Sequence, residues 1–282
     1  MKLNFFLCYT KENKGSGGID MSIILIYFII IFLANTIGAI SGMGGGVIIK
    51  PILDFIGYHS LSSITFYSSI AVFTMAISST YKQYQNGIQL NLKKAVGVSL
   101  GSLVGGVLGD RLLTFTLTTF TNQETVLIMQ YLIMLLTLIL VLLYNQFSTF
   151  HFSFSAIAIF FSVGIILGLL STFLGIGGGP INVACFVLFF GMDIKSATVY
   201  SIVTIFFSQL AKLTNIATST GFQTFDLTLL WGIIPAALLG GYIGGIISQK
   251  LSQKRVAHLY SLVVLLVILL NVYNLWVTVT SL

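Results

Sequence analysis

Runs of about 20 apolar residues recur along the chain, each long enough to cross roughly 30 Å of hydrocarbon as a helix. They can be drawn at residues 21–41, 62–84, 95–113, 126–144, 153–172, 196–218, 227–248 and 257–279. The fold these runs predict is an all-α polytopic membrane protein of about eight transmembrane helices. Composition agrees, since 56% of residues are hydrophobic and 7% charged, against about a quarter charged in soluble proteins. A multi-pass protein of the cell membrane, inner or plasma, is expected. The formal charge of +6 needs no nucleic acid partner, because Lys and Arg gather in the cytoplasmic loops of such proteins. Cys8 and Cys185 lie far apart, without metal-type spacing, so neither a disulfide framework nor a metal site is expected.

Two short stretches stand oddly just past the ends of two of these runs: Gly42-Met43-Gly44-Gly45-Gly46-Val47 and Gly175-Ile176-Gly177-Gly178-Gly179-Pro180. Each glycine costs roughly 1 kcal/mol against Ala in a helix, so something other than helix stability favours them. They also reveal a duplication. At an offset of about 134, Gly44–Gly46 meets Gly177–Gly179, Gly57 meets Gly191, Gly87-Ile88-Gln89 meets Gly221-Phe222-Gln223, and Gly105-Gly106 meets Gly240-Gly241.

The chain therefore divides into an N-terminal tail at 1–20, a first transmembrane repeat at 21–144, a polar linker at 145–152 and a second repeat at 153–282. Each homologous half carries a glycine-rich broken or re-entrant helix. Repeated halves with a site at their interface are the common build of secondary transporters. Four spans per half leave the halves parallel, whereas a fifth crossing by the glycine segment inverts the second. Charge does not choose: in an eight-span drawing Lys2, Lys11, Lys14, Lys82, Lys93, Lys94 and Lys212 share one face, against Lys50, Arg111, Lys195, Lys250, Lys254 and Arg255.

Backbone that leaves the helix inside hydrocarbon survives only where it lines a cavity or is buried in protein. An apolar segment resumes after each glycine run, and Pro180 suits the first turn of a helix. The glycine amides then stand at helix N-termini, where free N–H groups and the dipole favour an anion. Two such ends predict an oxyanion cradle of Gly44, Gly45, Gly46, Gly177, Gly178 and Gly179, flanked by Ser41, Ser171 and Asn182. The competing reading is tight helix crossing. That reading suits better the regular spacing of Gly97, Gly101, Gly105 and Gly109, and of Gly240 with Gly244 and Gly241 with Gly245.

The segment Gly38-Ala39-Ile40-Ser41-Gly42-Met43-Gly44-Gly45-Gly46-Val47-Ile48-Ile49-Lys50-Pro51 and its second copy, Gly168 to Gly179, resemble the paired signature of the sulfite exporter TauE/SafE family. The resemblance covers nearly the whole chain from Met21 onward. It implies a transporter of small sulfur-containing or organic anions such as sulfite, thiosulfate or sulfoacetate. Two departures stand out: the first copy is about three residues shorter between its serine and its glycines, and Ala184 stands opposite Pro51.

Ser201, Thr204, Ser208, Lys212 and Asn215 are spaced 3, 4, 4 and 3 apart, which puts them on one stripe of a helix. Tyr67, Thr74, Ser78 and Tyr81 repeat the stripe in the first half. It is either a wall of an anion path or a set of interhelical hydrogen bonds. Lys212, with Gln209 nearby, is either the cation that meets the anion or a side chain snorkelling to the interface. Lys50 is expected to pair with Asp54 one turn on. Asp110, Arg111, Asp193, Lys195, Asp226, Lys250, Lys254 and Arg255 are read as charges at span ends, leaving no acidic residue in mid-membrane as an evident proton carrier.

The expected function is alternating-access transport of a small anion, with a coupling ion such as a proton allowed for and no cofactor. No nucleophile with a base, carboxylate pair or metal ligands cluster in the spans, which disfavours a membrane-embedded enzyme. A passive anion channel is the other alternative.

Overall fold

A computed structural model describes residues 21–85, 91–120, 122–147 and 150–280. The expected tail at 1–20, Gly87-Ile88-Gln89 and part of the expected linker fall outside these residues. Ten α-helices are present among the described residues. They are α1 Met21–Ser41, α2 Gly46–Ile56, α3 Leu61–Gln85, α4 Leu92–Thr119, α5 Gln123–Phe147, α6 Ile157–Phe173, α7 Pro180–Phe190, α8 Ile194–Thr218, α9 Leu230–Lys250 and α10 Gln253–Thr280. Seven helices are long and apolar enough to cross a membrane, and α6 and α7 are shorter apolar helices. The molecule is an all-helical polytopic membrane protein.

The first glycine stretch reverses the chain. A side chain on Gly38 would strike the backbone of Gly44 and Gly45, and one on Gly45 would strike Asn35, so the start of α2 lies against the last turns of α1. Beyond α2, His59 Nδ1 lies 2.6 Å from the Tyr27 hydroxyl near the start of α1. Helix α2 thus runs back along α1, and the two form a re-entrant hairpin that leaves the membrane on the face where it began. At 11 residues, α2 is only ~16 Å long. The second stretch does the same: Phe160 of α6 stacks on Phe190 of α7 at 3.7 Å, and Phe152 N donates to Leu188 O at 2.6 Å. Gly57 and Gly191, with φ of 65° and 59°, close α2 and α7 in matching left-handed caps.

Topology then follows from cross-contacts. Tyr67 at the start of α3 packs edge-on to Tyr27 and its hydroxyl donates to Asp226 O at 3.1 Å, which puts His59, Asp226 and the start of α3 on one face. On the opposite face, Asn91 N donates to the Tyr200 hydroxyl at 3.0 Å and Lys195 Nζ to Gln249 O at 3.3 Å. The first hairpin enters from the first face and the second hairpin from the second. Each hairpin is followed by three long helices, an odd number, so the halves have inverted topology. The sequence left parity open because a glycine break can continue a helix or reverse it.

The halves interlock. Helix α4 packs along α6 as α9 packs along α1, α3 lies on α9 as α4 lies on α8, and α5 meets α10. Glycines make the close approaches, as expected of their spacing. A side chain on Gly101, Gly105 or Gly109 would meet backbone of Phe161, Ile165 or Leu169 in α6, and one on Gly240 or Gly244 would meet backbone of α1.

Candidate functional site

The two glycine turns meet in the middle of the molecule, between α3 and α8. A Cβ on Gly44 would fall 3.3 Å from Gly177 O and within contact of Val72 and Ile205, and Gly177 and Gly178 press against those same two side chains. Gly44 and Gly177 adopt φ of 76° and 66°, which other residues rarely take. The tips overlap, since Gly42 reaches Thr198 of α8 and Gly175 reaches Thr65 of α3. Ser201 Oγ also donates to Gly42 O at 2.5 Å. Matched by their left-handed glycines, Gly42 corresponds to Gly175 and Gly44 to Gly177, which places Ser41 opposite Leu174 and Gly38 opposite Ser171. The serines are not counterparts, which explains the apparent length difference between the copies.

Both short helices begin at these turns. Backbone bonding starts with Ile48 N and Ile49 N, each to Gly45 O, and with Asn182 N to Gly179 O. The amides of Gly44, Gly45, Gly46, Gly178 and Gly179 are paired with none of the described residues. Two helix N-termini with free N–H groups therefore face the same buried region. The space beside the second turn is small: a cavity of about 10 Å³ lined by Ser171, Gly178, Gly179 and Asn182, close to the volume one water needs.

The flanking residues divide sharply. Ser41 is buried, but its hydroxyl is turned onto its own helix, donating to Ile37 O at 2.8 Å. Ser171 lies 3.4 Å from the Ser208 hydroxyl and accepts from Gln209 Nε2 at 3.2 Å. Lys212 is 1% exposed and donates to Thr172 O at 3.4 Å, where a cation meets the carbonyl end of α6. Asn182 Nδ2 and Gln209 Oε1 are buried without a partner. Ser171, Gln209 and Lys212 thus gather at the second hairpin, with Asn182 across the small cavity. Burial of Lys212 excludes snorkelling. Of the stripe on α8, Ser201, Thr204, Ser208 and Lys212 are all buried, whereas Tyr81 of the corresponding stripe on α3 is 59% exposed.

One correction concerns an acidic residue. Asp110 is not at a solvated span end: α4 continues to Thr119, and Asp110 is buried, accepting from Asn215 Nδ2 at 2.5 Å. Its partner lies 105 residues away, a separation that no local pattern reveals. Asp54 is also buried, paired with Lys50 at 2.9 Å as its spacing predicts. It accepts a second bond from the Tyr131 hydroxyl at 3.1 Å. Two carboxylates are therefore buried among the helices, one in an expected pair and one in an unexpected one.

Near the first face, α3, α4 and α8 enclose a cavity of about 580 Å³ whose lining includes Thr65, Asp110, Arg111, Lys212 and Asn215. Among the described residues no group of His, Cys, Asp or Glu is arranged to hold a metal ion.

Inverted repeats, paired re-entrant hairpins and buried helix N-termini are the build common among broken-helix membrane transporters. The chain matches the sulfite exporter TauE/SafE family over residues 27–272 and belongs to it. The family places it among membrane transporters of sulfite or related anions. Neither a curated protein nor a solved structure matches the chain.

Proposed function

We propose that this protein carries a small sulfur-containing or organic oxyanion across the cell membrane by alternating access, and that the two glycine turns are its binding cradle. The observation that carries the reading is the meeting of two helix N-termini, α2 and α7, with unpaired amides at the centre of the molecule. Free N–H groups and the helix dipole favour negative charge at such ends. Gly44 to Gly46 and Gly177 to Gly179 supply backbone donors, Asn182 and Gln209 supply side-chain polarity from the second half, and Lys212 supplies the compensating charge. Ser171 holds Gln209 in place, while Ser41 serves its own helix. The small cavity beside the second turn fits an occluded state, so a bound anion requires the hairpins to part. The repeats 21–144 and 153–282 are the two moving halves.

Inversion also supports an orientation. Lys82, Lys93, Lys94, Lys195, Lys250, Lys254 and Arg255 all stand at the second face, against Arg111 on the other side and the tail residues Lys2, Lys11 and Lys14 that precede α1 in sequence, while Lys50 and Lys212 are buried and drop out of the balance. By the positive-inside rule the second face is cytoplasmic, and the 580 Å³ cavity opens on the other side.

Counterflow of labelled thiosulfate, sulfite and sulfoacetate in proteoliposomes tests the reading. Accumulation driven by unlabelled substrate supports a carrier; ohmic current supports a channel, and chemical alteration of the substrate an enzyme. Lys212→Gln is expected to lower the counterflow rate at least tenfold, a loss of about 1.4 kcal/mol of stabilisation, with normal membrane insertion. Unchanged counterflow removes Lys212 from the site.

A further inference from the structure

Resting on that reading, we infer that the cavity enclosed by α3, α4 and α8 is a second anion site, an outer vestibule in which Arg111 and Lys212 receive a hydrated oxyanion before it reaches the glycine turns. Its charge favours this. Arg111, Lys212 and Asp110 line it together, but the Asp110 carboxylate is engaged by Asn215. Arg111 has no carboxylate within salt-bridge distance among the described residues. The balance of two cations against one anion leaves the cavity positive, and low-dielectric walls focus such a field.

Its inner end is unfinished in the way a ligand site is. Thr65 lines the cavity and is 3% exposed, and its buried hydroxyl has no hydrogen-bond partner. Lys212 makes one long bond, to Thr172 O at 3.4 Å, so ammonium protons remain for a ligand. Thr65 also touches Gly175 at the tip of the second hairpin, so an anion held there lies next to the element that must move. A cavity of about 580 Å³ accommodates a tetrahedral oxyanion with part of its hydration shell, since each water takes about 30 Å³.

At the opposite end of the molecule the equivalent helix contact is built differently. There α9 lies on α3 with Gly241 against Ser78 and Gly245 against Lys82. By the glycine register Gly245 is the counterpart of Asp110 and Ile246 of Arg111. Where the second half has a glycine at this contact, the first half carries Asp110, bonded across it to Asn215, and Arg111.

The test reads local potential and occupancy, not transport. In purified protein in lipid nanodiscs, with Cys8→Ser and Cys185→Ser removing its own thiols, Thr118→Cys places a thiol in the vestibule wall. The rate of an anionic thiosulfonate reagent relative to a cationic one is expected to fall on the order of tenfold when Arg111→Gln is added, and to recover with Arg111→Lys. Sulfate, which is inert toward these reagents, is expected to slow labelling severalfold with Arg111 present and not with Arg111→Gln. A rate ratio indifferent to Arg111, or labelling indifferent to sulfate, overturns the inference. Should the thiol-free protein fail to fold, binding of labelled sulfate to the unmodified chain and to Arg111→Gln decides, with equal binding overturning it. A vestibule that binds sulfate without counterflow refutes only the transport reading, and counterflow without vestibule binding refutes only this site.

Discussion

The two hairpins share a backbone plan but spend their polar groups differently. In the first, Lys50, Asp54 and Tyr131 satisfy one another inside the protein, and Asn274 Nδ2 donates to Pro51 O at 2.9 Å. In the second, Asn182 Nδ2 is left without a partner, as is Gln209 Oε1 on the adjoining α8, where Lys212 has one long bond to the hairpin. A buried polar group without a partner costs about 1–3 kcal/mol; the first hairpin bears it at Asn35 Oδ1, and the second at Asn182 Nδ2 with Gln209 Oε1 of the neighbouring α8 beside it. The difference teaches that inverted halves need not share the work: the first hairpin reads as an anchor, and the second as the element poised for a ligand.

The largest expected effect sets the hairpins against each other at equivalent positions. Gly46 and Gly179 each precede or open a short helix, yet a Cβ on Gly46 would fall on the carbonyl oxygen of Ile176, whereas one on Gly179 meets only the flexible Ile176 Cδ1 at 3.2 Å. Gly179 has φ of −176°, which any residue adopts. Gly46→Ala is expected to cost more than about 4 kcal/mol, enough to prevent folding. Gly179→Ala is expected to fold within about 1 kcal/mol of the parent and to slow counterflow. Size-exclusion profiles and thermal unfolding in detergent check both, and equal damage would break the contrast.

The ion pair of the first hairpin comes next. Asp54→Leu leaves Lys50 buried without its partner and is expected to cost about 3–5 kcal/mol, while Lys50→Met with Asp54→Leu returns stability to near that of the parent. An anchor needs only packing, so the double variant is also expected to keep counterflow. Loss of counterflow in a well-folded double variant would move the first hairpin into the machinery and sharpen the comparison in the other direction.

Much of this arrangement was legible in the residues. Apolar runs mark the helices because length and hydropathy alone decide what spans a bilayer, and the twin glycines mark the turns because helix propensity cannot explain them. Lys50 and Asp54 were readable because their spacing is local. Asp110 was not, because it pairs with Asn215 across 105 residues and the apolar run of its helix stops before the helix does. Direction was also hidden. A glycine turn that reverses the chain transfers Lys82, Lys93 and Lys94 to the face of Lys195 and Lys250, tilting a balanced charge count toward one side. The mismatch of Ser41 with Ser171 has the same origin, since register depends on where each helix stops.

The smallest expected effect lies where the first hairpin leaves the membrane. His59, in the loop between α2 and α3, is held below its ordinary pKa of 6.5 chiefly by burial, with Asp226 opposing. A lowered pKa means that the unfolded chain binds the proton more readily than the folded one. Stability is therefore full above the ordinary value and declines as pH falls through it toward the folded pKa. Protonation also disturbs the 2.6 Å contact between His59 Nδ1 and the Tyr27 hydroxyl, which ties the end of the hairpin to its start. The unfolding midpoint is expected to drop between about pH 7.5 and pH 5.5, and to drop less in His59→Gln. The corresponding loop of the second hairpin, Gly191 to Asp193, contains no histidine, so an acid response of equal size in His59→Gln would show that the anchor is not where the pH sensitivity resides.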